Sequence, residues 1–196
     1  ESLKIVTNAD IVEKVKPAIV YIKAGSNTGS GFIINSSGSI TTNAHVVKGS
    51  NEVDIKLSDG RSFIGSVVGR NEDVDIAIVK IDANDLKYLQ LGDSSSSVLK
   101  QGDRVITFGY PFGLTGEVSI KEGTISRRLY EGGTTYLETS AEIHPGNSGG
   151  PLVNSEGAVV GVNVAMLGKS INGVLIGETI KLAIPINIVK ALIPTL

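Results

Sequence analysis

The chain has 196 residues, of which 18 are basic, 20 acidic and 41% hydrophobic, for a net charge of −2. That balance excludes the clustered Lys and Arg of a nucleic-acid groove, and no run of about 18 apolar residues exists to form a membrane helix. The absence of cysteine removes disulfides, thiolate zinc sites and a Cys nucleophile, and two histidines, with only Glu142 near His144, are too few to suggest a metal centre.

No basic-then-apolar leader opens the sequence, so no signal peptide is expected within it. Asp10-Ile-Val-Glu-Lys-Val15 predicts a short helix, with Asp10 near its cap and Pro17 beyond its end. Short apolar runs rich in Val and Ile then predict strands at 18–23, 30–34, 53–57, 75–81, 104–108 and 158–162. Turn signals separate them: Ser36-Ser-Gly38, Ser58-Asp-Gly60, Glu131-Gly-Gly133 and Ser155-Glu-Gly157. Ser94 to Ser97, followed by Gln101-Gly-Asp103, reads as the connection between two halves; the alternative is an ordinary loop inside one sandwich. Pro185 to Leu192 predicts a closing helix with its proline in the first turn. The pattern is that of an all-β barrel or sandwich.

Three stretches carry chemistry. In Gly146-Asn-Ser-Gly-Gly-Pro-Leu152, small residues on both sides of Ser148 allow a sharp turn. They also allow the N–H of Gly146 to lie beside that of Ser148 as an oxyanion donor; the plain alternative is a glycine-rich hairpin. In Thr41-Thr-Asn-Ala-His-Val-Val47, His45 suits a general base at neutral pH or a structural, hydrogen-bonded imidazole. In Asn71-Glu-Asp-Val-Asp-Ile-Ala-Ile-Val-Lys80, Asp75 stands at the mouth of a strand, where a carboxylate can hold an imidazole tautomer. Glu72 and Asp73 compete for that role, since the two-residue period of a strand puts Asp73 and Asp75 on one face. The order His, Asp, Ser is that of chymotrypsin-type enzymes, with the first two residues in one half and Ser148 in the other.

With these segments Gly29-Ser-Gly-Phe-Ile-Ile34, Leu91-Gly-Asp-Ser94, Gly109-Tyr-Pro-Phe-Gly-Leu114, Gly161-Val-Asn163 and Ala183-Ile-Pro-Ile-Asn187 appear in order, and the chain resembles the protease domain of the HtrA (Deg) family. The resemblance implies a chymotrypsin-like double β-barrel with short terminal helices, its halves at 1–98 and 99–196. It implies a catalytic triad of His45, Asp75 (rather than Asp73) and Ser148, and an oxyanion hole from Gly146, Ser148 and Asn147. It further implies ATP-independent, cofactor-free cleavage of unfolded or misfolded polypeptides, a homotrimer, and a periplasmic or otherwise extracytoplasmic setting. A chaperone-like holdase is the alternative from another class, and a viral-type processing protease the less fitting one.

Three departures from the family pattern stand out. No PDZ domain is expected within these 196 residues, the segment from Ala24 to Gly29 is short, and Ser140 stands where an aspartate is usual. The substrate pocket is expected to involve Glu142, Ile143, Asn163 and Ala165. Glu142, six residues before Ser148, would select Lys or Arg if it sat at the pocket floor; the favoured reading is an aliphatic pocket with Glu142 turned aside, because burying it unpaired would cost several kcal/mol. His144 is expected beside the site without taking part. Three loops, Tyr110 to Glu117, Arg128 to Thr135 and Val164 to Gly177, are expected to be mobile, and a flipped amide near Pro145-Gly146 would give a resting enzyme.

Overall fold

The computed structural model describes residues 6–113, 116–165, 170–171, 173–175 and 180–196. The chain enters through helix α1 (Asn8–Val15). Its N-terminus is closed by a reciprocal capping box in which Thr7 Oγ1 accepts from Asp10 N–H at 3.2 Å and Asp10 Oδ2 accepts from Thr7 N–H at 2.8 Å. Ile11 and Val15 are its buried face, and a short 3-10 turn, Lys16–Ala18, delivers the chain into the first barrel.

Six strands build that barrel: β1 (Ile19–Ala24), β2 (Asn27–Ile33), β3 (Ser39–Thr42), β4 (Glu52–Leu57), β5 (Ser62–Asn71) and β6 (Ile76–Lys80). They close in the antiparallel order β1-β2-β3-β6-β5-β4, with β1 paired to both β2 and β4. The two-residue period is plain in β4, where Val53, Ile55 and Leu57 face inward between exposed Glu52, Asp54 and Lys56.

The second barrel uses β7 (Arg104–Gly109), β8 (Ser119–Glu131), β9 (Thr134–Thr139), β10 (Pro151–Asn154), β11 (Val159–Val164) and β14 (Leu182–Pro185), in the order β10-β11-β14-β9-β8-β7. Two further short strands, β12 (Ser170–Ile171) and β13 (Val174–Leu175), form a separate hairpin. Helix α2 (Ile186–Leu192) follows β14 directly.

One buried cluster runs through both barrels, from Phe32, Ile40 and Val46 on the first side to Phe108, Tyr110, Val162 and Ile184 on the second. The double barrel is therefore joined by shared core, and the edge where β2 and β3 meet the β9–β10 connection is the region that matters below. Ser94 is buried and tied to the second half: its Oγ accepts from Asn187 N–H at 3.0 Å and its carbonyl accepts from Arg128 at 2.6 Å.

The sequence reading needs three corrections. Residues 128–135 are not a loop but the long β8–β9 hairpin, turning at Gly132 and Gly133, whose positive φ of 59° and 82° suits glycine. Pro185 ends β14 and stands before α2 rather than in its first turn. Strands β5, β8 and β9 carry too many polar and glycine residues for an apolar-run criterion to find. Of the other two expected loops, 114–115, 166–169, 172 and 176–177 lie outside the described residues.

Candidate active site

His45 follows β3 within a tight turn, and Asp75 ends the turn between β5 and β6. Since β3 pairs with β6, Thr42 lies opposite Ala77, and the two side chains emerge from neighbouring strand ends. The Asp75 carboxylate grips His45 twice: Oδ1 accepts the His45 backbone N–H at 2.9 Å and Oδ2 meets Nδ1 at 2.7 Å. Accepting from Nδ1–H leaves Nε2 as the imidazole's acceptor.

Asp75 adopts φ +63°, the left-handed region that Asp tolerates better than most residues. The Asn43 side-chain amide donates to the Asp75 carbonyl at 2.9 Å and fixes that conformation. Asp73 and Glu72 are exposed and make no such contact. Burial raises the pKa of the Tyr136 hydroxyl, and the charges of Asp75 and Glu131 add to the rise.

Ser148 sits in the β9–β10 connection, 2% exposed. The turn is built by reciprocal backbone bonds: Asn147 N–H to His144 C=O at 2.9 Å, Gly150 N–H to Asn147 C=O at 3.0 Å, Gly149 N–H to Asn163 C=O at 3.0 Å and Asn163 N–H to Gly150 C=O at 2.8 Å. Gly146 and Gly149 have φ of 96° and 84°. A Cβ on Gly149 would run into Ser30 O and Thr42 Oγ1, so the first barrel's β2 and β3 lie against the turn and only glycine fits there.

The Ser148 hydroxyl does not reach His45. Its Oγ donates to the Ala165 carbonyl at 2.6 Å and accepts the Ala165 N–H at 2.9 Å. Ala165, just past the end of β11, thus clasps the hydroxyl with both of its backbone groups.

The amide donors sort cleanly. Asn147 N–H is occupied by the His144 carbonyl, which removes it from the expected set. The N–H groups of Gly146 and Ser148 donate to no group among the described residues. The Pro145 carbonyl accepts from Phe112 N–H at 2.6 Å. In a trans peptide the Gly146 N–H points the opposite way, so the Pro145–Gly146 amide is held in one definite orientation.

Around this centre Ile143 and Asn163 are fully buried, and the Asn163 side chain faces back to donate to the Pro151 carbonyl at 3.1 Å. Glu142 is turned outward, its side chain half exposed, 3.6 Å from Lys181 Nζ and 3.6 Å from His144 Nε2. The His144 ring stacks on Phe112 with centroids 5.6 Å apart. Sequence reasoning missed Ser30, Asn43 and Lys181. The signal for the first was available: a serine flanked by two glycines and leading into the apolar run Phe32-Ile-Ile34.

The family model "Trypsin-like peptidase domain" matches residues 29–162. Among curated proteins, the chain is 42% identical over 165 residues to a "Probable periplasmic serine endoprotease DegP-like" of Halomonas elongata, covering 82% of this chain and 33% of that protein. It is 42% identical over 176 residues to the "Putative serine protease HhoA" of Synechocystis sp., covering 86% and 42% respectively. A solved structure described as "HtrA-type protease AlgW with tripeptide" superposes with a TM-score of 0.84 at 31% identity, covering 96% of this chain and 63% of that one. The chain spans 33% and 34% of the length of the first two curated relatives, corresponding to their protease region.

Proposed function

The chain belongs to the HtrA/DegP family of trypsin-like serine proteases, whose protease region it covers, and from that premise we propose that it is an endopeptidase that cuts unfolded polypeptides with Ser148, His45 and Asp75. The observation that carries this reading is the double hydrogen bond from His45 to Asp75 beside a glycine-lined serine turn.

An extended segment of substrate lies along the cleft between the barrels. Rotation about χ1 moves Ser148 Oγ from Ala165 to His45 Nε2, exchanging one set of hydrogen bonds for another. His45 takes the hydroxyl proton as Oγ attacks the scissile carbonyl, and Asp75 stabilises the imidazolium that forms. Gly146 and Ser148 N–H receive the oxyanion, each donor contributing roughly 3 kcal/mol in the transition state. The imidazolium protonates the leaving amine, and water, activated by the same base, hydrolyses the acyl-enzyme. All of this uses the chain's own residues, with the border between its halves at 98/99.

The outward turn of Glu142 and its pairing with Lys181 support a pocket that selects small aliphatic side chains, bordered by Ile143, Asn163 and Ala165. Likeness to relatives named periplasmic endoproteases supports work outside the cytoplasm, and the family resemblance of the sequence extends the proposal to a homotrimer acting in protein quality control. The clasp on Ser148 favours one second reading, a holdase state in which unfolded chains are bound while hydrolysis is switched off.

Mapping cleavage sites in casein by mass spectrometry, beside a tightly folded control protein, tests the proposal. Cuts after Val, Ala and Ile with the folded control spared are expected; a dominant Lys or Arg preference would overturn the aliphatic pocket.

A further inference from the structure

Ser30 lies at the centre of β2 and is fully buried. A buried hydroxyl needs partners, and every polar atom of this residue has one. Its N–H donates to the Ser148 carbonyl at 2.9 Å. Its carbonyl accepts from Thr42 Oγ1 at 2.7 Å. Its Oγ donates to the Gly146 carbonyl at 2.6 Å and accepts the Tyr110 N–H at 2.8 Å.

These four bonds join elements from both barrels. Thr42 is the last residue of β3, immediately before Asn43 and three before His45. Gly146 and Ser148 carry the N–H groups that donate to nothing among the described residues. Tyr110 follows β7 and leads to Phe112, which holds the Pro145 carbonyl.

The packing is equally specific. A Cβ on Gly109 would come within 2.9 Å of Ser30 Oγ and 2.8 Å of Asn147 Oδ1, and one on Gly31 within 2.9 Å of the Thr41 carbonyl. The glycines around Ser30 therefore allow three backbones to converge on one hydroxyl.

We propose that Ser30 is a positioning residue for catalysis: its hydroxyl locks the Gly146 carbonyl, and so fixes the direction in which the Gly146 and Ser148 N–H groups meet the oxyanion. The inference rests on the endopeptidase reading above. The physical reason is that the Gly146–Asn147 peptide lies between the two peptide planes that carry the Gly146 and Ser148 N–H groups, and it is held at both ends, its carbonyl by Ser30 Oγ and its N–H by the His144 carbonyl. Two consecutive carbonyls, of Pro145 and Gly146, are tied by Phe112 N–H and Ser30 Oγ. With Oγ removed, the second tie is lost and the Tyr110 N–H loses its acceptor, which also loosens the segment carrying the first. Because Ser30 is fully buried, its hydroxyl is out of a substrate's reach and the effect falls on the transition state.

The test is steady-state peptide hydrolysis by Ser30→Ala, with a fluorophosphonate probe establishing beforehand that wild-type Ser148 is reactive. The expected result is a kcat about 10- to 100-fold lower with KM within about twofold, and a parallel loss of affinity for a peptidyl aldehyde, whose adduct needs the oxyanion donors. Unchanged kcat, or a change confined to KM or to thermal stability, overturns the role of Ser30 while leaving the endopeptidase reading intact. A wild type that the probe does not label overturns both. Should Ser30→Ala not fold, Thr42→Val removes only the hydroxyl that holds the Ser30 carbonyl. A smaller fall in kcat with the same unchanged KM is then expected, and wild-type kcat contradicts the proposal.

Discussion

Ser148→Ala is expected to lower casein and peptide hydrolysis about a millionfold, leaving only the residual rate that binding and oxyanion donors provide. The loss is this large because the covalent route disappears entirely, and the remaining His45–Asp75 pair has no nucleophile to activate. The fold should survive. Among the described residues Ser148 Oγ bonds to the N–H and C=O of Ala165, so the substitution takes a partner from two buried backbone groups at a cost of about 1–3 kcal/mol. In a domain of this size that lowers Tm by a few degrees. Turnover in a contaminant-free preparation, measured beside a thermal melt, separates the two effects. Retained hydrolysis would remove Ser148 from its role.

Asp75→Asn is expected to lower kcat about ten-thousandfold with the protein still folded. Asn tolerates the left-handed φ of +63° as Asp does, and its oxygen can still accept the His45 backbone N–H. What remains to face Nδ1 is then an NH2 group, a donor. His45 would respond by carrying its proton on Nε2, so the nitrogen aimed at the serine could no longer take one. A kcat within tenfold of wild type, with an unchanged melt, would show that Asp75 does not set the tautomer.

Much of this was legible before any coordinates. The strands with apolar runs, β1, β4, β6, β7 and β11, appear close to where pattern reading puts them, because each buries at least one continuous face. Strands β5, β8 and β9 do not, since their long hairpins expose alternating polar residues and bend at glycines. Asp75 is the more instructive case. Periodicity cannot separate it from Asp73, because the two-residue rule holds only for extended backbone. The left-handed turn at Asp75 breaks the alternation and sends its carboxylate to His45 while Asp73 stays in solvent. The resemblance to a family singles out Asp75 where local physics is silent, and in the structure it is the Asp75 carboxylate that meets His45.

The direction of the Ser148 hydroxyl is also invisible in sequence, since a rotamer depends on what the neighbouring strand offers. Here the end of β11 offers both a donor and an acceptor. The sequence reading places the Asn147 N–H in the oxyanion set with those of Gly146 and Ser148, yet the turn spends it on the His144 carbonyl. In sequence Ser30 is one residue of a glycine-flanked segment; the role proposed for it follows from β2 lying against the nucleophile turn.

Mass-spectrometric mapping of a fluorophosphonate adduct tests the convergence of His45 and Ser148 most directly, because labelling requires the hydroxyl to leave Ala165 and surrender its proton. A single adduct on Ser148, lost in His45→Ala, is the expected result. An adduct elsewhere, or undiminished labelling of Ser148 without His45, would contradict it.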